Sequence, residues 1–172
     1  MVRYVRQRDT FRCGPIAILN ALKWAGAPVT AALLPEITAV AGCVYPEGTQ
    51  PKDFAPALRA FGEKYFSVGT VPLPSIRAIE NCLREEDRAV LVNYGWFNRD
   101  AGNALTGHYT LFTGVSARGQ RFTAVNFSRG AGGSAQGTTS TVSRAKMREF
   151  LHHRKDPEES RWYPGSWFLT KK

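Results

Sequence analysis

From Cys13 to Ala25 the chain holds only two strongly polar residues, Asn20 and Lys23, and the stretch is closed by Gly26-Ala27-Pro28. A helix built from it is apolar on nearly every side, so it cannot rest on a surface and must run through the middle of a domain. Such a helix needs partners on at least two sides. At 172 residues and 43% hydrophobic, the chain is long enough to supply them within one domain, expected to span residues 1–172. A membrane-spanning helix is excluded by length. The longest unbroken apolar runs, such as Ala31 to Leu34 and Ala89 to Val92, are four residues long, against the ~20 that a bilayer-spanning helix requires.

The elements that would enclose this helix follow in order. Thr30 is placed to cap a second helix over residues 31–41. Gln50-Pro51-Lys52-Asp53 starts a third, with Phe54, Ala57, Leu58 and Phe61 at helical spacing and Gly62 ending it. Tyr65 to Val71 reads as a short strand, Pro74 to Glu86 as a helix carrying Ile76, Ile79 and Leu83, and Ala89 to Tyr94 as a buried strand. His108 to Val115 and Arg121 to Phe127 are two more strands joined by Ser116-Ala117-Arg118-Gly119-Gln120, a connection of hairpin length. That hairpin brings His108 and Asn126 to the same edge of a sheet. Gly130 to Thr139, with four glycines, reads as a mobile loop just beyond Asn126, Ser143 to Arg154 as a last helix and Ser166 to Thr170 as a terminal strand. Helices first and an antiparallel sheet afterwards predict an α+β domain.

Cys13 opens the apolar helix and Gln7 precedes it by six residues, within Gln7-Arg8-Asp9-Thr10-Phe11-Arg12-Cys13-Gly14-Pro15. A helix N-terminus carries partial positive charge and unpaired N–H groups, so a thiol there is expected to have its pKa lowered. Its N–H and the Gln7 amide are the donor types that hold a developing oxyanion. Gly107-His108-Tyr109 supplies a base and Asn126 a group to orient it, completing the set that acyl transfer needs at neutral pH. Taken alone, Cys13 reads more often as a buried core thiol than as a nucleophile, and His108 has as its lesser alternative a strand histidine satisfied by its own hydrogen bonds; the Gln-x5-Cys-Gly-Pro spacing together with Gly-His-Tyr reverses the reading of Cys13. Cys43 and Cys82 sit among apolar neighbours as small hydrophobes, and three cysteines without a CxxC pair argue against a disulfide framework and a zinc site. His152 and His153 are adjacent and complement a helix C-terminus. Gly130-Ala131-Gly132-Gly133 lacks the ending of a phosphate loop, and Glu85-Glu86-Asp87 is a solvated turn. Tyr94, Trp96 and Phe97 either wall a substrate groove or pack in the core.

Gln-x5-Cys-Gly-Pro before an apolar helix, then Gly-His-Tyr on a strand and Asn on the next, resembles the papain-like superfamily of cysteine peptidases, with the C39-like, bacteriocin-processing type as the nearest branch. The resemblance covers residues 7 to 127 in element order. It implies a catalytic helix packed on a sheet that carries the base. By it Gln7 supplies the oxyanion amide, Cys13 the nucleophile, His108 the general base and acid, and Asn126 the residue that orients His108. C39-type enzymes usually carry aspartate at the third position, often followed by proline; Asn126-Phe127 looks like papain there.

The net charge of +9 is concentrated in residues 1–30 and 118–155, the segments that hold Cys13 and Asn126. It suits an anionic substrate or partner, a nucleic-acid surface, or simple solubility. The expected activity is that of a thiol hydrolase cleaving a peptide or isopeptide bond through a Cys13 acyl-enzyme, with no cofactor and a peptide or protein substrate. Two alternatives stand beside it: a papain-fold acyltransferase or deamidase, and a non-catalytic binding module with a basic face. Met1-Val2-Arg3-Tyr4 leads into polar sequence without an apolar targeting core, which predicts a mature cytoplasmic protein.

Overall fold

A computed structural model describes residues 2–30, 32–71, 74–98, 104–127, 139–152 and 165–172. Along the chain run α1 (Cys13–Trp24), α2 (Leu33–Val40), α3 (Pro51–Gly62), β1 (Phe66–Thr70), α4 (Ile76–Arg84), β2 (Arg88–Asn98), β3 (Ala104–Val115), β4 (Arg121–Val125), β5 (Thr139–Ser143), α5 (Arg144–His152) and β6 (Ser166–Lys171). The six strands form one sheet in the order β1-β6-β2-β3-β4-β5, and every neighbouring pair is antiparallel. The fold is α+β.

Helices cover both faces of the sheet. Ala89, Leu91, Tyr109, Leu111, Val125, Trp167 and Leu169 belong to a core shared with α1, Ile37 of α2, and Phe54 and Leu58 of α3. The alternate residues Val90, Val92, Tyr94, Phe112, Phe122 and Ala124 pack instead with Ile79 and Leu83 of α4 and Met147 of α5. Successive strand residues point to opposite faces, so the apolar run Ala89-Val90-Leu91-Val92 follows from burial on both. In α1 every residue except Lys23 is buried, as its composition requires. Among the described residues no helix is long and apolar enough to cross a membrane.

Three local expectations are corrected. The side chain of Thr30 does not cap α2; the helix starts at Leu33 without a side-chain cap bond, and Thr30 contributes only its carbonyl, 3.2 Å from the Leu33 N–H. The β2–β3 hairpin extends to Asn98 and Ala104, beyond the Tyr94 and His108 limits expected from hydrophobicity. Thr139 to Ser143, expected to be the end of a loop and the start of a helix, is the edge strand β5 paired to β4. Residues 130–138 of the glycine-rich segment lie outside the described residues. On the α4 side Glu80 accepts from Arg84 at 2.7 Å and Arg144 at 2.6 Å, while Arg144 also donates to the Gly119 carbonyl at 3.0 Å. This cluster joins α4, the β3–β4 turn and the start of α5.

Candidate active site

The segment entering α1 is shaped by side chains. The Asp9 carboxylate accepts the N–H of Phe11 at 3.2 Å and of Arg12 at 2.8 Å, and pairs with Arg12 Nε at 2.8 Å. This local side-chain turn sets the direction in which the helix begins at Cys13. Sequence reasoning passed over Asp9, although an aspartate two to three residues before backbone donors is the signal for such a turn. Gln7 is buried; its Nε2 donates to the Asp9 carbonyl at 2.7 Å, and its Oε1 has no hydrogen-bond partner among the described residues. A Cβ at Gly14 would stand 2.8 Å from Thr49 Cβ, so the residue after Cys13 must be the smallest one.

Cys13 lies in a notch of the sheet. Asn93 is opposite Tyr109 in register but directs its own N–H away, to the Gly165 carbonyl at 2.9 Å, so the Tyr109 N–H faces the β4 side. There β4 has already ended at Val125. The Tyr109 N–H and those of Gly14 and of Cys13 itself each act on the Cys13 sulfur in favour of the thiolate. The nucleophile candidate thus rests on the main chain of the residue next to His108.

The residue after β4, Asn126, has φ +55, a left-handed conformation that asparagine tolerates better than most residues. Its carbonyl oxygen lies 2.5 Å from His108 Nε2, with the Thr110 hydroxyl 3.4 Å away. A carbonyl can only accept, so Nε2 carries the proton and Nδ1 is the basic nitrogen. The Tyr94 ring stands edge-on to the imidazole with centroids 5.7 Å apart. Where the resemblance implies an Asn126 side chain on the histidine, the structure puts its main chain there. The carboxamide goes elsewhere: Nδ2 donates to the Val5 carbonyl at 2.7 Å. His108 and Asn126 therefore meet where β4 stops, Cys13 lies beside the main chain of the next residue, Tyr109, and Gln7 follows two residues after Val5.

Burial dominates the electrostatics. It pushes the Cys13 thiol up to about 11, outweighing the Tyr109, Gly14 and Cys13 N–H groups, which lower it. The expectation of a lowered pKa at the helix end is thereby reversed, since only 8% of Cys13 is exposed and the thiolate loses its hydration. The same cause drives His108 down to about 4, against the raising effect of the hydrogen bond that its ring donates to the Asn126 carbonyl. The resting pair is a neutral thiol and a neutral imidazole. Alkylation of Cys13 by iodoacetamide is accordingly expected to keep rising with pH toward about 11; a plateau near neutral pH would contradict this.

A groove of about 740 Å³ lies between the N-terminal segment and α1, with Arg12, one residue before Cys13, in its lining and none of Gln7, Cys13, His108 and Asn126. Arg6, Arg8, Arg12 and Lys23 stand on its walls, and Ile16, Leu19 and Leu34 line it with apolar surface. The basic N-terminal segment noted in the sequence is thus a concave surface. Tyr94 is buried against Phe127 and the imidazole, which settles it as packing. Cys43 and Cys82 are buried and unpaired, and burial raises the pKa of both. The side chains of Trp96, Phe97 and His152, and residues His153, Arg129 and Gly130 to Gly133, lie outside the described residues.

No family model and no curated protein matches the chain in sequence. Among solved structures it is similar to a double glycine motif protease from an AMS/PCAT transporter in complex with the leader peptide, with TM-score 0.57, 13% identity, and 99% of this chain and 92% of that one covered. It is also similar to a protein described as a C39-like peptidase from Bacillus anthracis, with TM-score 0.64, 10% identity, and 99% and 95% of the two chains covered. The chain has the papain-like fold of C39-type peptidases.

Proposed function

We propose that the protein is a cysteine peptidase in which Cys13 is the nucleophile, His108 the base, Asn126 the residue that orients it, and Gln7 an oxyanion donor. The observation that supports this reading is that His108 meets the Asn126 carbonyl at the end of β4, which sets its tautomer, while Cys13 lies beside the main chain of the neighbouring Tyr109. In the acylation step the Cys13 sulfur attacks the scissile carbonyl carbon while its proton passes to His108 Nδ1. The negative charge that develops on oxygen is met by the second Gln7 amide hydrogen and a helix-end N–H. Collapse breaks the carbon–nitrogen bond, the His108 proton goes to the leaving amine, and water then hydrolyses the thioester. Because the thiol rests protonated, proton transfer accompanies attack rather than preceding it.

A peptide substrate is supported by the leader-peptide complex of the structural relative. An acidic segment in that substrate is supported by the groove, whose lining carries Arg6, Arg8, Arg12 and Lys23 against one carboxylate, Asp9, which pairs with Arg12. Two peptides sharing one scissile bond, one acidic and one neutral, compared at ionic strengths where the Debye length shrinks from ~30 to ~10 Å, test both points. Cleavage of the acidic peptide should lose on the order of tenfold in kcat/KM while the neutral one changes little. Product masses separate hydrolysis from transfer to an added amine and from deamidation. Binding without any covalent turnover would return the protein to the class of binding modules.

A further inference from the structure

Asn20 is a carboxamide in the middle of an otherwise apolar helix, and only 1% of it is exposed. Burying an amide without partners is costly, so the position needs a reason. Its partners are both on Val5: Oδ1 accepts the Val5 N–H at 2.7 Å and Nδ2 donates to the Val5 carbonyl at 3.0 Å. In this way the side chain pairs with an extended segment as a neighbouring strand would. The same Val5 oxygen accepts from Asn126 Nδ2 at 2.7 Å, so both of its lone pairs are filled, one from α1 and one from the end of β4. The orientation of the Asn126 amide is forced, because its oxygen could not face another carbonyl oxygen.

We infer that Asn20 and Asn126, meeting on the Val5 carbonyl, are positioning residues that hold the Gln7 segment in register with Cys13 and His108. The inference rests on the peptidase reading for its roles. Asn20 is carried seven residues along the helix that Cys13 opens, and Asn126 offers His108 its main-chain carbonyl while its side chain holds Val5. One peptide unit thereby ties together the helix of the nucleophile, the strand end that orients the base and the segment of the oxyanion amide. This division of labour makes the third residue's side chain a clamp on the oxyanion segment rather than the group that orients the histidine.

Glycine and aspartate at position 126 separate the two roles. Asn126→Gly keeps the left-handed backbone, and with it the carbonyl on His108, but removes the clamp. Asn126→Asp restores an acceptor able to orient a histidine, yet turns an oxygen toward the Val5 carbonyl. The readout is acylation of Cys13 in the full chain by a p-nitrophenyl ester, followed as nitrophenolate release. The sulfur–acyl bond forms, the ester carbon–oxygen bond breaks, and the thiol proton passes to His108. This needs nucleophile, base and oxyanion donors but no peptide recognition. Lack of peptide cleavage would therefore sink the peptidase reading and leave this measurement intact.

Asn126→Gly is expected to acylate about tenfold more slowly and Asn126→Asp about a hundredfold more slowly, as displaced catalytic groups do. The pH dependence of iodoacetamide alkylation should stay as in the unmodified protein for Asn126→Gly. Asn20→Ala should slow acylation in the same way and add little to Asn126→Gly, since both act on Val5. Hydrogen exchange at the Val5 N–H should quicken in Asn20→Ala, and it reports the clamp even if a variant at 126 does not fold. An Asp variant faster than the Gly variant would overturn the inference. So would an alkylation profile in Asn126→Gly that copies His108→Gln, unchanged Val5 exchange, or an unmodified protein acylated no faster than its denatured form.

Discussion

Replacing Cys13 with serine or alanine is expected to lower turnover by on the order of 10⁵-fold or more, since removing the nucleophile of such a set disables the whole set. Intact-mass measurement on the unmodified protein should then show acyl adducts on Cys13 and on neither Cys43, whose thiol donates to the Phe11 carbonyl at 3.5 Å, nor Cys82, which packs with Ile79 and Leu83 of α4. Gln7→Ala should cost less, about a hundredfold, because it removes one oxyanion donor and leaves nucleophile and base in place. It should leave alkylation by iodoacetamide unchanged, a reaction with no oxyanion to stabilise. Full turnover in Cys13→Ser would end the peptidase reading. Equal losses of turnover and alkylation in Gln7→Ala would make Gln7 structural.

The second large effect is on acid stability. His108 titrates at about 4 in the fold against 6.5 for the free side chain. Between these values the unfolded chain binds the proton and the folded one does not, so stability must fall as pH falls. The contribution is intact above pH 6.5, is lost progressively below it, and amounts to about 3 kcal/mol by pH 4, taking 1.36 kcal/mol per unit. Urea unfolding at pH 7.5 and pH 4 in the unmodified protein and in His108→Gln isolates it. Titrating carboxylates affect both proteins alike, so the difference between their two shifts belongs to His108. Equal acid losses in both would mean that the imidazole is not excluded from water as the fold places it.

Much of this architecture was legible because burial leaves a one-dimensional trace. The apolar stretch after Cys13 is α1, buried except at Lys23, and the apolar run after Arg88 is a strand covered on both faces. The connection Ser116 to Gln120 gave the β3–β4 hairpin and with it the shared edge of His108 and Asn126. What escaped depends on partners rather than on pattern. β5 is an edge strand with one buried residue, Val142, and its Ser and Thr positions carry no hydrophobic alternation to read. The pKa of Cys13 was misjudged because the helix-end field is visible in sequence whereas the degree of burial is not. The roles of Asn20 and Asn126 were hidden for a related reason. An amide's type shows that it will find a partner, but the choice between a histidine ring and a carbonyl 121 residues away is made only in three dimensions.

The position of β6 bears on when the sheet can close. This strand, from Ser166 to Lys171, pairs with β1 on one side and β2 on the other, one place in from the edge of the sheet. During synthesis on a ribosome the helix of Cys13 and the strand of His108 emerge long before it does. Until residues 166–171 leave the exit tunnel, β1 has no partner, the sheet cannot close over α1, and Trp167 is missing from its stack against Phe54 and Tyr109. A nascent chain therefore carries every residue of the candidate site before the strand that joins β1 to the rest of the sheet, and this core is expected to close only once translation has passed the last strand.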